Sequence, residues 1–204
     1  MLVVDANPGL VPSYYYGGVN GMVFVRGNVL EEIGLRRNRG SRWLYSLELL
    51  SAMATRFFSL GGRMMLGYRV EPVFNIVNED ITLLGVALKE FTGDEEFYED
   101  KVLVEASYLV DSSGLTAALS THVIETIKPG IVPQGAGPVI PGSREVVEKT
   151  EWVLENIVLA CGLSAASIFG AALPFPDVTP LIESGVKAAE MITGLVGSRE
   201  KRLE

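Results

Sequence analysis

Segments typical of strands alternate along this chain with segments typical of helices, and this alternation limits the folds open to it. Leu2–Asp5 is a short apolar run that ends in an acid, as a buried strand often does. In residues 42–60 the apolar side chains recur at helical spacing, and Gly61 and Gly62 follow as a helix stop. Because strands and helices interleave, we predict an α/β fold in which helices cover a sheet.

The remaining segments continue this alternation to the end of the chain. Further strands are predicted at residues 22–25, in two runs within residues 63–86 that turn at residues 78–80, and at residues 102–111 and 157–159. Further helices are predicted at residues 29–35, 114–127, 143–152 (with Ser143 as the N-cap) and 183–195. Loops are predicted at residues 6–21, at the acidic residues 94–100 and at the proline- and glycine-rich residues 129–142.

Length and composition fit an ordinary globular protein. The chain has 204 residues, of which 48% are apolar and 21% are charged, far from the composition of disordered chains. We therefore predict a single domain over residues 1–204. The net charge of -8 argues against binding to nucleic acid or to an anionic membrane, since both attract basic surfaces. The basic run at residues 36–39 is interpreted as a solvated loop.

Signals of export and membrane insertion are weak in this chain. No basic region precedes the apolar residues after Met1, so no signal peptide is expected. The longest uncharged stretch, residues 157–175, is rich in small residues and contains proline, which favours a buried strand and loop over a membrane helix. Cys161 is the only cysteine, so an internal disulfide is impossible, and we interpret it as a cysteine that packs. We expect a cytoplasmic protein.

Five short segments carry a more specific signal because of their order. They are Gly-Gly-Val-Asn-Gly-Met at residues 17–22, the helix start at residues 46–54, Leu-Val-Asp-Ser-Ser-Gly at residues 109–114, the run from Val-Glu-Lys-Thr to Cys161, and Ser-Gly-Val-Lys-Ala-Ala-Glu at residues 184–190. In this order they resemble motifs of the thiamine thiazole synthase family over nearly the whole chain. That resemblance implies a two-layered α/β fold, an oligomer, and synthesis of an adenylated thiazole carboxylate from NAD, glycine and a sulfur source with iron.

Compared with the family that it resembles, this chain lacks part of the nucleotide-binding region. Family members begin with a strand and a Gly-x-Gly-x-x-Gly turn, roughly one βα unit before the point where this chain begins. Gly17, Gly18 and Gly21 do not follow a strand and open a helix, so we do not interpret them as that turn. We predict a truncated Rossmann-like, flavoprotein-type sheet with helical cover and a small antiparallel β element. Because unpaired buried backbone groups are costly, another polypeptide supplies the missing central strand, or neighbouring strands close the gap, or the true chain begins earlier. Of these, we predict an oligomer or a re-paired sheet.

The resemblance also implies a set of nucleotide-contacting positions. The acid that bonds ribose hydroxyls in the family corresponds to Asp5, which alternatively only caps the turn after its strand. The other implied cofactor-binding residues are Gly17, Gly18, Gly21, Met22, Asp111 and Gly114. NAD and iron are implied by the resemblance alone, and we predict no set of metal ligands in this chain.

Positions that carry chemistry in the family differ here. The family's His-Asp pair after the strand end is replaced by Leu115 and Thr116. His122, the only histidine, falls near the cysteine of sulfur-donating members and is our catalytic candidate; alternatively, it is an ordinary hydrogen-bonded helix histidine. The family's Arg-Met-Gly-Pro grips the carboxylate of glycine, and its arginine corresponds to Leu173, with Asp177 adding like charge nearby.

Three functions are compatible with this pattern. The first is a divergent thiazole synthase that makes the thiazole moiety of thiamine from NAD, glycine and sulfide. The second is a non-catalytic binding or assembly subunit that has lost nucleotide and glycine binding. The third is a fragment of a flavin- or NAD-dependent oxidoreductase, which would need an intact phosphate loop even more than the first. We predict a homo-oligomer with a small-molecule ligand, and no nucleic-acid or membrane partner.

Overall fold

The structure, a computed structural model, describes residues 1–5, 22–32, 42–66, 68–77, 80–90 and 102–200. Within these residues the chain forms two units, Met1–Ala106 and Ser107–Glu204. The single domain expected over residues 1–204 stays a prediction. The loops predicted at residues 6–21 and 94–100, and the basic run at residues 36–39, lie outside the described residues.

The first unit is built mainly from paired strands. Its strands are β1 (Leu2–Asp5), β2 (Met22–Val25), β3 (Arg42–Tyr45), β4 (Arg63–Leu66), β5 (Tyr68–Val77), β6 (Asp80–Glu90) and β7 (Val102–Val104). Its helices are α1 (Gly27–Glu32) and α2 (Ser46–Ser59). β1 pairs in parallel with β4, β2 pairs antiparallel with β3, and β5, β6 and β7 form an antiparallel sheet in that order.

The helix predicted at residues 42–60 is confirmed from Ser46 onward, but the residues before it form β3 instead. Leu44 is buried between the exposed Trp43 and Tyr45, and this alternation is the pattern of a strand with one buried face. Pairing with β2 decides the conformation, since it sets Phe24 opposite Trp43 with their ring centroids 5.8 Å apart. Apolar residues at these positions fit the helical spacing equally well, so periodicity alone could not distinguish a strand from a helix at residues 42–45.

The strand pair predicted within residues 63–86 is confirmed as the hairpin of β5 and β6, in which Val77 lies opposite Asp80. Its first part is a separate strand, β4, because those residues pair with β1 rather than with β6. The single strand predicted at residues 102–111 is two strands in different sheets. The first of them, β7, extends the sheet at β6, whereas β8 (Leu109–Asp111) belongs to the second unit.

The second unit holds a mixed sheet in the order β8–β10–β9. After β8 come a 3-10 turn (Gly114–Thr116), α3 (Ala118–Thr126), α4 (Glu145–Glu148), β9 (Glu151–Leu154), β10 (Val158–Ala160), α5 (Gly162–Phe169) and α6 (Thr179–Glu200). β10 is parallel to β8 and antiparallel to β9. All residues of β10 are buried, and Leu159 packs against Cys161 and Ala188. The core of this unit therefore surrounds β10.

Two helices predicted in this unit differ in extent. The helix predicted at residues 143–152 is only α4, because the chain from Glu151 onward pairs with β10 as a strand that includes Trp152. The amide of Glu145 does contact Ser143 Oγ, at 3.4 Å. The helix predicted at residues 114–127 is interrupted at Ala117, which has a left-handed φ of 42°. The 3-10 turn and α3 are thus separate pieces.

The uncharged stretch at residues 157–175 is buried, as predicted, but it contains the helix α5 as well as the strand β10. Most residues of α5 are buried, so the helix lacks the polar face that makes a surface helix recognisable from its sequence. The last helix begins at Thr179, before the predicted start at residue 183. Asp177 Oδ1 accepts the amide of Thr179 at 2.9 Å and so caps the start of α6.

These elements confirm the mixed α/β fold, and the described part of the chain contains no closed barrel. The loop predicted at residues 129–142 is also confirmed. The Rossmann-like, flavoprotein-type arrangement of the sheet stays a prediction, as does an oligomer or a re-paired sheet. Among the described helices, none is both long and apolar enough to cross a membrane.

Candidate functional site

The carboxyl ends of β8 and β10 lie side by side, because the strands are parallel and Asp111 lies opposite Ala160. The amide of Cys161 donates to the carbonyl of Asp111 at 3.0 Å, so the pairing extends to the strand ends. Each strand is followed by a glycine with positive φ, 86° at Gly114 and 58° at Gly162, and then by helical residues. In open α/β sheets, ligands bind outside the carboxyl ends of the strands. This end of the pair is therefore the candidate functional site.

Asp111 is the buried centre of this site, with an exposure of 2%. Its Oδ1 accepts the amide of Ser113 at 2.9 Å, the hydroxyl of Ser113 at 2.7 Å and the hydroxyl of Ser164 at 3.1 Å. Its Oδ2 accepts the amide of Ser120 at 2.7 Å. A buried carboxylate is tolerated when its oxygens are satisfied in this way. This single side chain joins the end of β8 to the following turn, to α3 and to α5.

The turn that leaves β8 is exposed but closely braced. A Cβ on Gly114 would meet nothing within 4 Å, so the space beside its backbone is open. Ser113 Oγ accepts the amide of Ala118 at 2.8 Å, and Ser164 Oγ lies 3.1 Å from the carbonyl oxygen of Gly114. The exposed residues of the turn are Ser112, Ser113, Leu115 and Thr116. Such a turn can offer backbone groups and small side chains to a ligand while its own conformation stays fixed.

A second buried network supports the end of β10. Ser184 Oγ accepts the amide of Gly162 at 2.7 Å and lies 2.6 Å from Thr150 Oγ1. Thr150 Oγ1 donates to the carbonyl of Val146 at 2.9 Å, so the hydroxyl proton of Ser184 is the one that bridges the two side chains. Both hydroxyl residues are fully buried. This network ties α6 and the end of α4 to the start of α5.

Cys161, between β10 and α5, is a free buried cysteine. Burial, and after it the negative charge of Asp111, raises the pKa of its thiol to about 11. A thiol with such a pKa stays protonated near neutral pH and is a poor nucleophile or sulfur donor. The side chain is buried in a core cluster with Leu159 and Ala188, which confirms its interpretation as a packing cysteine.

The predicted residues of the second unit occupy different surroundings. Asp111 and Gly114 come together at the candidate site, where both contact Ser164. His122 is exposed on α3, and the buried residues of that helix are Ser120, Val123 and Ile124. Among the described residues, no three His, Cys, Asp or Glu side chains are grouped so that they could hold a metal ion.

The other predicted residues belong to the first unit. Asp5 ends β1, where its backbone lies opposite Leu66. Met22 is the half-buried first residue of β2 and lies opposite Tyr45. Gly17, Gly18 and Gly21 lie outside the described residues. The cofactor contacts expected of this whole group stay predictions.

The segment that corresponds to the family's arginine motif is apolar and paired through its backbone. The amide of Leu173 donates to the carbonyl of Pro138 at 2.9 Å, and its carbonyl accepts the amide of Ile140 at 2.8 Å. The carbonyl of Pro174 accepts the amide of Gly142 at 2.9 Å. Residues 173–177 contain no basic side chain that could hold a carboxylate. The loop at residues 129–142 thus lies along this segment.

The serines that complete the site were missed by sequence reasoning. Ser113 and Ser184 lie inside recognised motifs, but neither was assigned a contact. Ser164 lies 53 positions after Asp111, so only the fold brings the two together. The available signal was weak: Ser164 is a polar residue within an apolar run directly after a buried strand.

Comparison with known proteins gives a consistent result. No protein-family model matches the chain. Thiamine thiazole synthase of Thermococcus kodakarensis is 29% identical over 178 residues, which cover 83% of this chain and 68% of that protein. The crystal structure of Thermovibrio ammonificans THI4 has the same fold, with a TM-score of 0.83 and 19% identity over 96% of this chain and 80% of that one. The chain is thus similar in sequence to a thiamine thiazole synthase and shares the fold of THI4, which confirms the resemblance that its ordered motifs predict.

Proposed function

We propose that the protein is a divergent thiazole synthase that works in thiamine biosynthesis, with NAD, glycine and sulfide as its substrates. The observation that carries the proposal is the preserved strand end at residues 109–114. The buried carboxylate of Asp111 braces the turn after β8, and the backbone beside Gly114 is open. The sequence similarity to a thiamine thiazole synthase supports the same choice of substrates.

The turn at residues 114–116 would contact the dinucleotide through its backbone. The ribose contact that the resemblance implies for Asp5 is kept as a separate proposal. The nucleotide contacts that the resemblance implies for Gly17, Gly18, Gly21 and Met22 are part of the same proposal. His122 is the candidate for proton transfer, since an imidazole can both accept and donate a proton and this side chain is exposed.

A turnover experiment tests this function directly. Purified full-length protein is incubated without oxygen with NAD, glycine, sulfide and ferrous iron, and the products are analysed by liquid chromatography and mass spectrometry. The proposal expects an adenylated thiazole carboxylate that is absent when any one substrate is omitted. Protein that binds NAD without forming this product would exclude catalysis, and protein that binds neither NAD nor glycine would contradict the function altogether.

A non-catalytic binding or assembly subunit is the second candidate, and one observation favours it. Residues 173–177 lack a cation, and the backbone of Leu173 is paired with the loop at residues 129–142. A glycine carboxylate would find no bidentate partner there. Calorimetric titration with glycine in the presence of saturating NAD separates the two candidates, since only the enzyme needs a measurable glycine site.

We further propose that the protein acts as a homo-oligomer in the cytoplasm. A strand edge without a neighbour is a common place for association between chains. Light scattering coupled to size-exclusion chromatography measures the molar mass in solution. A mass of one 22.1 kDa chain at all concentrations tested would contradict the oligomer.

A further inference from the structure

We propose that Asp111 is a positioning residue whose buried carboxylate fixes the left-handed turn after β8, so that the backbone of residues 114–116 faces the bound dinucleotide. The inference deepens the proposed function and rests on it, because NAD is taken as the ligand of this turn. Asp111 itself is too buried to contact a ligand. It acts through the residues that its two oxygens hold.

The turn needs such support because of Ala117. This residue has φ 42° and ψ 46° and is fully buried. Residues other than glycine adopt the left-handed conformation only where the surroundings hold them there. Ala117 sends the chain from the 3-10 turn into α3, so its conformation sets the direction of residues 114–116. Without a fixed neighbour on each side, the turn would relax to a commoner backbone conformation.

The carboxylate holds both sides of Ala117. On one side, the hydroxyl of Ser113 donates its only proton to Asp111 Oδ1, and its lone pair is thereby aimed at the amide of Ala118. On the other side, the amide of Ser120 in the first turn of α3 donates to Oδ2. Ser164 brings a third anchor from α5, since its hydroxyl lies 3.1 Å both from Asp111 Oδ1 and from the carbonyl oxygen of Gly114. The turn is therefore clamped from three elements.

An ionised carboxylate suits this position because it presents acceptors only. The amides of Ser113 and Ser120 can only donate, and they approach different oxygens. An asparagine of nearly the same size must turn its NH2 group toward one of these amides. Either orientation sets one of these two backbone donors, the part-buried amide of Ser113 or the buried amide of Ser120, against another donor. The Asp111→Asn substitution therefore loosens the turn without opening a cavity.

The experiment compares three variants of the full-length chain by NAD titration calorimetry, amide hydrogen exchange and thermal unfolding. Asp111→Asn disrupts the clamp. Ser113→Ala removes the hydroxyl that links Asp111 to the amide of Ala118 and leaves the buried core unchanged. It is therefore the test variant if Asp111→Asn does not fold. Val153→Ala is the matched control, because it weakens a fully buried position in β9 that takes no part in the clamp.

Asp111→Asn and Ser113→Ala are expected to raise the Kd for NAD about tenfold, the effect of losing roughly one buried hydrogen bond. They are also expected to speed amide exchange across residues 112–121. Val153→Ala is expected to lower the Tm comparably but to change the Kd by no more than about twofold. Equal changes in Kd for Asp111→Asn and Val153→Ala would overturn the inference, as would an unchanged Kd in both clamp variants.

Wild-type protein that binds no NAD would instead overturn the proposed function, and the ligand contact of the turn with it. Amide exchange would then still decide whether Asp111 fixes the turn. Unchanged exchange at residues 112–121 in the folded Asp111→Asn variant would refute that part independently of any ligand.

Discussion

The two units of the protein bury different kinds of side chain. In the first unit, the buried side chains of the described residues are apolar, as at Val25, Leu44 and Leu88. In the second unit they also include polar and charged ones, namely Asp111, Ser120, Thr150, Ser164, Asp177, Thr179 and Ser184. Apolar contact is non-directional, whereas a buried hydrogen bond fixes the distance and direction between two elements. We infer that the second unit is the one built to hold a site in a defined geometry.

This difference predicts different responses to substitution. Where the core is apolar, the loss of stability should follow the volume removed. Where buried polar groups hold each other, the loss should depend on whether a partner is left unsatisfied, even when the volume removed is the same. Substitutions in each unit can separate the effect of the volume removed from the effect of an unsatisfied partner.

The largest loss of stability is expected from Leu88→Ala in the first unit. Leu88 is a fully buried residue of β6, and removing its side chain should cost about 3 kcal/mol in the free energy of unfolding. Leu88→Met keeps the volume and should cost about 1 kcal/mol. Urea unfolding measures both. Similar losses for the two variants would show that volume does not govern this core.

Gly85→Ala tests the backbone of the same sheet. Gly85 has φ 155°, and a Cβ there would collide with the carbonyl of Val104 in β7, so we expect a loss of about 2 kcal/mol. Gly61→Ala is the control, since Gly61 also has positive φ but open space around it, and strain alone should cost about 1 kcal/mol. If chemical unfolding gave the larger loss for Gly61→Ala, the close approach of β7 to Gly85 would be wrong.

The raised thiol pKa of Cys161, in the second unit, predicts that the stability of the protein falls at high pH. Its thiol pKa is raised from 9.0 to about 11 in the folded protein, so the unfolded chain loses the proton first as pH rises. The stabilisation is complete below pH 9 and is lost between pH 9 and 11. Relative to Cys161→Ala, the wild type should lose about 2 kcal/mol over this interval. A constant difference between the two proteins across these pH values would mean that the thiol titrates normally.

The smallest effects come from two identical substitutions at fully buried serines. Ser184→Ala removes the acceptor of the Gly162 amide and should cost about 1–2 kcal/mol. Ser120→Ala removes a buried hydroxyl that has no hydrogen-bond partner among the described residues, and should cost about 0 kcal/mol. Thermal and urea unfolding of both variants measures the loss in the free energy of unfolding. The comparison tests whether this loss depends on the hydrogen-bond partners of each serine rather than on its burial alone. Equal losses would contradict that view.

Sequence reasoning succeeded where a segment's own residues decide its conformation. The amphipathic pattern found α2 from Ser46 onward, and the turn residues near Asp80 found the hairpin of β5 and β6. It failed where a distant partner decides, as at Trp152, which pairs with β10 instead of continuing a helix. It also missed α5, because a helix buried on nearly all sides has no polar face to reveal its period.

The candidate site shows the same division. Asp111 and Gly114 were identified because they lie next to each other in one recognisable strand end. Ser164 and Ser120 were not, since their contacts with Asp111 depend on how α5 and α3 pack around β8. The chemistry of a motif can be predicted from its residues, but the network that holds the motif depends on tertiary structure.

Native mass spectrometry of the purified full-length chain measures directly whether the protein carries an adenine dinucleotide ligand. We predict a population with the added mass of NAD or of an adenylated thiazole, which disappears on denaturation and returns when NAD is added. Protein of the correct unliganded mass that also fails to take up added NAD would contradict the account.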